Sequence, residues 1–88
     1  MIAPTKVRID TEVTAAYVAY REIAPGESIR NQRLSDEVIV DYNANGDILG
    51  LELLGFDDAA LDIARDFAAA HGMEFPADAF SSAARPSA

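Results

Sequence analysis

Three carboxylates, Asp10, Asp41 and Glu52, are the residues on which an acidic site would rest. Asp10 closes one short alternating run, and Asp41 and Glu52 flank a turn-forming cluster. Gathered within a few ångströms, they would hold a divalent cation or exchange protons with a substrate. Asp41, Asn43, Asn45, Gly46 and Glu52 also match the calcium-loop pattern D-x-[DN]-x-[DN]-G-x5-E at every specified position. That loop works between two helices, whereas here β-branched residues precede it and an alternating run follows. Two of its ligands would be neutral amides. The stretch is therefore expected to be a hairpin turn that takes no calcium. His71 is the single histidine and falls near a helix end, so no Ser/His/Asp set can be assembled around it. Cysteine is absent, which excludes thiol catalysis and thiolate metal sites. Gly46, Gly50 and Gly55 lie in the hairpin region, not at the strand-to-helix junction of a phosphate loop.

The elements that must position these carboxylates centre on Val38–Leu54, VIVDYNANGDILGLELL. Two apolar runs flank Asn43-Ala44-Asn45-Gly46-Asp47. Asn bonds its own backbone in a turn, and Gly takes positive φ without a Cβ clash. The composition predicts a type I turn closed by Gly46 in the left-handed region, with a G1 bulge. In that register Tyr42 faces Ile48, Val40 faces Gly50 and Val38 faces Glu52. Asp41 faces Leu49, Ile39 faces Leu51 and Glu37 faces Leu53 on the other side. Asp41 and Glu52 are then on opposite faces. In this reading Asp10 caps a turn, Asp41 restrains the hairpin loop, and Glu52 needs solvent or a partner such as Arg8. Gly50 marks a bulge or an aromatic lying over the backbone.

Upstream, Met1–Thr5 is a loose lead-in. Lys6–Asp10 alternates as a strand burying Val7 and Ile9, and Ala15–Arg21 supplies a second strand. Pro25-Gly26 signals a turn, and Ser28–Leu34 reads as a polar edge strand or extended loop. Downstream the period becomes helical: Asp58–His71 repeats Ala60/Leu61, Ala64, Phe67 and Ala68, with Ile63 widening the stripe. Asp57 or Asp58 caps its start and Gly72 its end. Leu61 and Phe67 are expected in the core. Ala77–Phe80 adds one more turn, and Ser81–Ala88 is a disordered tail. The expected fold is α+β: an antiparallel meander of three to four strands with one C-terminal helix packed on a face. Residues 1–80 form the single domain and 81–88 the tail.

The net charge of −8 is unevenly spread. Residues 1–35 carry five basic and four acidic side chains, and residues 36–88 carry two and eleven. An acidic surface repels phosphate backbones, which argues against nucleic acid and for a basic protein partner. No apolar run has the length of a signal peptide or a membrane span, so the sequence reads as a soluble cytoplasmic protein with no membrane partner. The basic edge strands, with Lys6, Arg8, Arg30 and Arg33, complement an acidic helix, so a two-fold homodimer is expected, with the edges of one copy meeting the helix of the other.

Read together, VRID-x3-T-AAYVAY and VIVDYNANGDILGLELL resemble the small prokaryotic family known as domain of unknown function 2283. Its pattern has a first strand ending in Asp, a second with a central Tyr, and a hairpin resembling D-Y-D-x-x-G-x-I-x-G-I-E-I-L. Asp10, Tyr17, Asp41, Tyr42, Gly46, Ile48, Gly50, Glu52 and Leu54 carry the likeness over Val7–Leu54. Asn43 and Thr14 stand where that family has Asp. The resemblance implies a compact sheet domain and assigns no activity.

The functional expectation is a non-enzymatic interaction module without a cofactor, the acidic neutralising partner of a basic protein. The alternative is a small carboxylate-dependent enzyme or metal binder using Asp10, Asp41 and Glu52. No catalytic or metal residue is assigned under the first reading.

Overall fold

The computed structural model describes residues 1–84, with side chains through Phe80. Five strands form one antiparallel sheet: β1 (Lys6–Asp10), β2 (Ala15–Ala19), β3 (Arg30–Arg33), β4 (Val38–Tyr42) and β5 (Ile48–Leu53). The spatial order is β1-β2-β5-β4-β3. This corrects the expected three- to four-stranded meander in both count and connection. The segment between β2 and β3 contains the Pro25-Gly26 turn and is long enough to carry the chain past two strand positions. Polarity explains the order. The apolar strands β4 and β5 lie inside the sheet, and β3, RNQR, is exposed throughout at an edge.

One face of the sheet is covered by α1 (Asp58–Ala70) and α2 (Ala77–Ala84). Val18, Val38, Val40, Leu51 and Leu53 line this face and are fully buried. The seam of α1 consists of Ala60, Ala64 and Ala68, spaced i, i+4, i+8. With no bulk beyond Cβ on that line, the helix backbone settles close to the sheet. Leu61 and Phe67, expected in the core, are half-buried flanks of the seam. The ends of α1 follow the expected chemistry. Asp57 is the N-cap, with Oδ1 accepting from Ala60 N at 2.9 Å. Gly72, at φ +67°, donates to Ala69 O while Met73 donates to Ala68 O, a Schellman termination.

A second helix was not part of the sequence expectation beyond one turn. Its Phe80 is fully buried, edge-on to Phe56 at 5.5 Å and stacked on Phe75 at 5.3 Å. Helix α2 runs through Ala84, so it overlaps the tail expected over Ser81–Ala88; positions 85–88 lie outside the described residues. The lead-in is also tied down. Ile2 bridges Met73 in parallel, donating to Gly72 O and accepting from Glu74 N.

The uncovered face of the sheet as candidate functional site

The hairpin turn forms as its composition requires: Gly46 N donates to Asn43 O at 3.0 Å, and Gly46 has φ +83°. The strands beyond it do not follow the expected register. Tyr42 pairs with Ile48, but Asp41 pairs with Gly50, which leaves Leu49 as an extra, bulged residue. From there on every pair is shifted by one: Val40 with Leu51, Ile39 with Glu52, Val38 with Leu53. A one-residue slip turns a strand over. Asp41 and Glu52 therefore share a face, contrary to the expectation that they were separated.

Among the described residues no helix covers that face. Arg8, Tyr17, Glu52, Ile39 and Arg33 form one row across it, and Lys6, Ala19, Gly50, Asp41 and Asn31 form the next. Cations stand at the two edges and carboxylates toward the middle. Tyr17 joins the rows: its ring occupies the space above Gly50, where a Cβ would lie 2.5 Å from Oη and 2.6 Å from Cζ. Both anticipated reasons for a mid-strand glycine hold, since the bulge is adjacent and the aromatic lies over the backbone. The Tyr17 hydroxyl donates to Asp41 Oδ2 at 3.0 Å, and Asn31 Nδ2 donates to Asp41 Oδ1 at 3.2 Å. Burial raises the Tyr17 phenol well above its usual pKa, and the charge and hydrogen bond of Asp41, then the charge of Glu52, raise it further. It is a fixed donor, not a proton carrier at neutral pH.

Asp41 thus spans strands and does not restrain the loop. Asn43 does that. It is nearly buried, and its Oδ1 accepts from the backbone N–H of Asn45 and Asp47, both at 2.9 Å. Its amide also reaches Asp47 Oδ2 at 3.2 Å. Arg21 pairs with the same carboxylate at 2.7 Å; hydrogen bonds from Arg21 and then Asn43 hold Asp47 below its usual pKa. Asp10 caps its turn as expected, accepting from Glu12 N at 3.0 Å. Glu52 is half-buried and has no ion pair or hydrogen bond among the described residues, and Arg8 does not close on it.

All three carboxylates of the alternative reading share this face, but they do not converge. Strand spacing and rise put Asp10 about 12 Å from Glu52, Cα to Cα, and Asp41 about 8 Å from it. Among the described residues no three His, Cys, Asp or Glu side chains are grouped to hold a metal ion. A shallow groove of ≈ 660 Å³ lies between Arg8, Asp10, Glu12, Tyr17 and Glu52. On the opposite side of the molecule, Asp58, Asp62 and Asp66 stand exposed along the outer line of α1. Arg65 pairs with Asp62 of these.

The family profile described as "Protein of unknown function (DUF2283)" matches residues 6–56. The chain belongs to this family. The DUF2283 match covers the five strands and ends at Phe56, just before α1. No curated protein and no solved structure matches the chain. Within the DUF2283 region, Asp10, Tyr17, Asp41, Gly50 and Glu52, five residues on which the resemblance rests, all fall on the uncovered face. Tyr17, Gly50 and Asp41 among them form one unit: a ring, the bare backbone it needs, and its hydrogen-bond acceptor.

Proposed function

We propose that this chain is a non-enzymatic, cytoplasmic interaction module whose acidic helix side receives a basic protein, as a neutralising partner would. The observation that carries this reading is the ridge of Asp58, Asp62 and Asp66. At i, i+4, i+8 spacing these carboxylates stand about 6 Å apart along the helix. Like charges so placed weaken a helix by a few tenths of a kcal/mol per pair. Arg65 offsets one of the three, and an incoming set of lysines or arginines would relieve the rest. The chain's own basic side chains Lys6, Arg8, Arg30 and Arg33 are on the edge strands of the sheet. Segregated charge of this kind raises encounter rates with an oppositely charged partner. The test is co-purification from the native host at low salt. A basic protein held by the wild type and lost by the Asp58→Asn/Asp62→Asn/Asp66→Asn variant supports the reading. An unchanged set of bound proteins with that variant refutes it.

The alternative, a carboxylate-dependent enzyme or metal binder, gains one observation from the bulge at Leu49, which turns Asp41 to the face that Glu52 and Asp10 share. Manganese or calcium titration followed by the amide resonances of Asp41 and Glu52 tests it. We also propose that the chain self-associates, independently of the basic partner.

A further inference from the structure

Strand β1 is one end of the sheet, so half of its backbone groups have no strand to pair with among the described residues. Which half follows from the ladder. Tyr20 N donates to Leu49 O, so the even-numbered residues of β2 turn their backbone groups to β5 and the odd-numbered ones to β1. Lys6, Arg8 and Asp10, opposite Ala19, Tyr17 and Ala15, are thereby bonded to β2. Val7 and Ile9 point their N–H and C=O groups outward.

We infer that β1 is the self-association edge, pairing antiparallel with β1 of a second copy so that Val7 faces Ile9 and Lys6 faces Asp10 across a two-fold axis at Arg8. The sequence Lys6-Val7-Arg8-Ile9-Asp10 is complementary to itself read backwards: basic against acidic at the ends and aliphatic against aliphatic between them. Val7 and Ile9 are half-buried and pack on the helix-covered core, so the pairing continues that core from one copy into the next. Four backbone hydrogen bonds form, two from each Val7–Ile9 pair. Arg8 meets its own copy at the axis, the one unfavourable pair. The other edge does not fit a second copy. In β3 the outward groups belong to Asn31 and Arg33, because Leu34 N donates to Val38 O and fixes the even residues inward. Arg30 and Arg33 there have no acidic residue in the strand to face. A sheet of ten strands results, and both acidic ridges remain free. This inference therefore goes beyond the basic-partner reading and does not rest on it.

Sedimentation equilibrium of the full chain from micromolar to millimolar concentration tests the pairing. The wild type is expected to dimerise. Val7→Pro removes an outward N–H that takes no bond among the described residues, so it should fold normally and weaken the dimer about tenfold or more. Lys6→Asp and Asp10→Lys each put like charges at both ends and should dissociate the dimer, while an equimolar mixture of the two should re-form it. Circular dichroism checks that each variant is folded. Arg8→Thr should tighten the dimer. Three results would overturn the inference: a monomeric wild type at millimolar concentration, a Val7→Pro dimer as tight as wild type, or a charge-swap mixture that stays monomeric. So would loss of the dimer in the Asp58→Asn/Asp62→Asn/Asp66→Asn variant, because that result would place a basic edge on the acidic helix. A monomer that still binds a basic protein would refute this pairing and leave the proposed function standing.

Discussion

Gly50→Ala should destabilise the protein through a residue that is itself distant in sequence, and the size of the effect follows from the contacts of Tyr17. The new methyl would lie 2.5–2.7 Å from Oη, Cζ and Cε2, so the ring must lift from the sheet. Lifting breaks the 3.0 Å bond to Asp41, which is worth about 1 kcal/mol at a partly solvated carboxylate. Returning half an aromatic face to water costs about 1 kcal/mol more. Against this, alanine restricts the unfolded chain and recovers about 0.5 kcal/mol. The net loss is about 1.5 kcal/mol, a drop in Tm of about 9 °C for a domain of this size. Tyr17→Phe keeps the ring and should lose the hydrogen-bond share alone. In a Tyr17→Ala background the obstacle is gone, and Gly50→Ala should become stabilising by about 0.5 kcal/mol. Thermal and urea denaturation of the four proteins in this cycle measure the coupling. An equal cost of Gly50→Ala with and without Tyr17 would refute the reasoning.

Ala64→Leu, on the buried seam of α1, should cost about 1–3 kcal/mol by overpacking. Leu61→Met on the half-buried flank should stay within about 1 kcal/mol; comparable melting of the two variants would mean that the alanine seam is not the contact. Burial pushes the Tyr20 phenol up to about 12, and Tyr17 lies higher still. The folded state therefore holds these protons more tightly than the unfolded chain, and their contribution is complete below the unfolded tyrosine pKa of about 10. Stability should fall as pH rises from there toward 12, with Tyr17→Phe flattening part of the slope in urea titrations. Millimolar calcium should leave Tm unchanged despite the pattern match; a rise abolished by Glu52→Gln would contradict this.

The parts of the fold set by local chemistry were legible in the sequence. The Asn43–Gly46 turn, the Asp57 cap, the glycine termination at Gly72 and the alternation of Lys6–Asp10 depend on residues within a few positions of one another. The register of β4 against β5 was not, because Ile48 and Leu49 are both apolar and nothing in their types marks which one bulges. That one ambiguity moved Glu52 from the face of Val38 to the face of Asp41, and with it the layout of the candidate site. The α1 stripe was legible in its members, Ala60, Leu61, Ile63, Ala64, Phe67 and Ala68, but not in their order of burial. Hydrophobicity gives weight to Leu61 and Phe67, whereas close approach of the helix to the sheet favours the methyl side chains of Ala60, Ala64 and Ala68. The place of β2 beside β5, and of Ile2 beside Met73, depends on contacts between distant segments that no local pattern encodes. The backbone bonding of Asn43 in the turn was legible in the residue type, whereas the loop role expected of Asp41 fails because the bulge turns its side chain toward Tyr17 and Asn31.

Zero-length carbodiimide cross-linking of the co-purified complex, read by mass spectrometry, tests the proposed function most directly, because it joins carboxylates to lysines in contact. The expected cross-links run from Asp58, Asp62 or Asp66 to the basic partner and diminish as salt screens the pairing. Cross-links confined to Asp10, Asp41 or Glu52 would place the partner on the uncovered sheet face and contradict the helix-side reading.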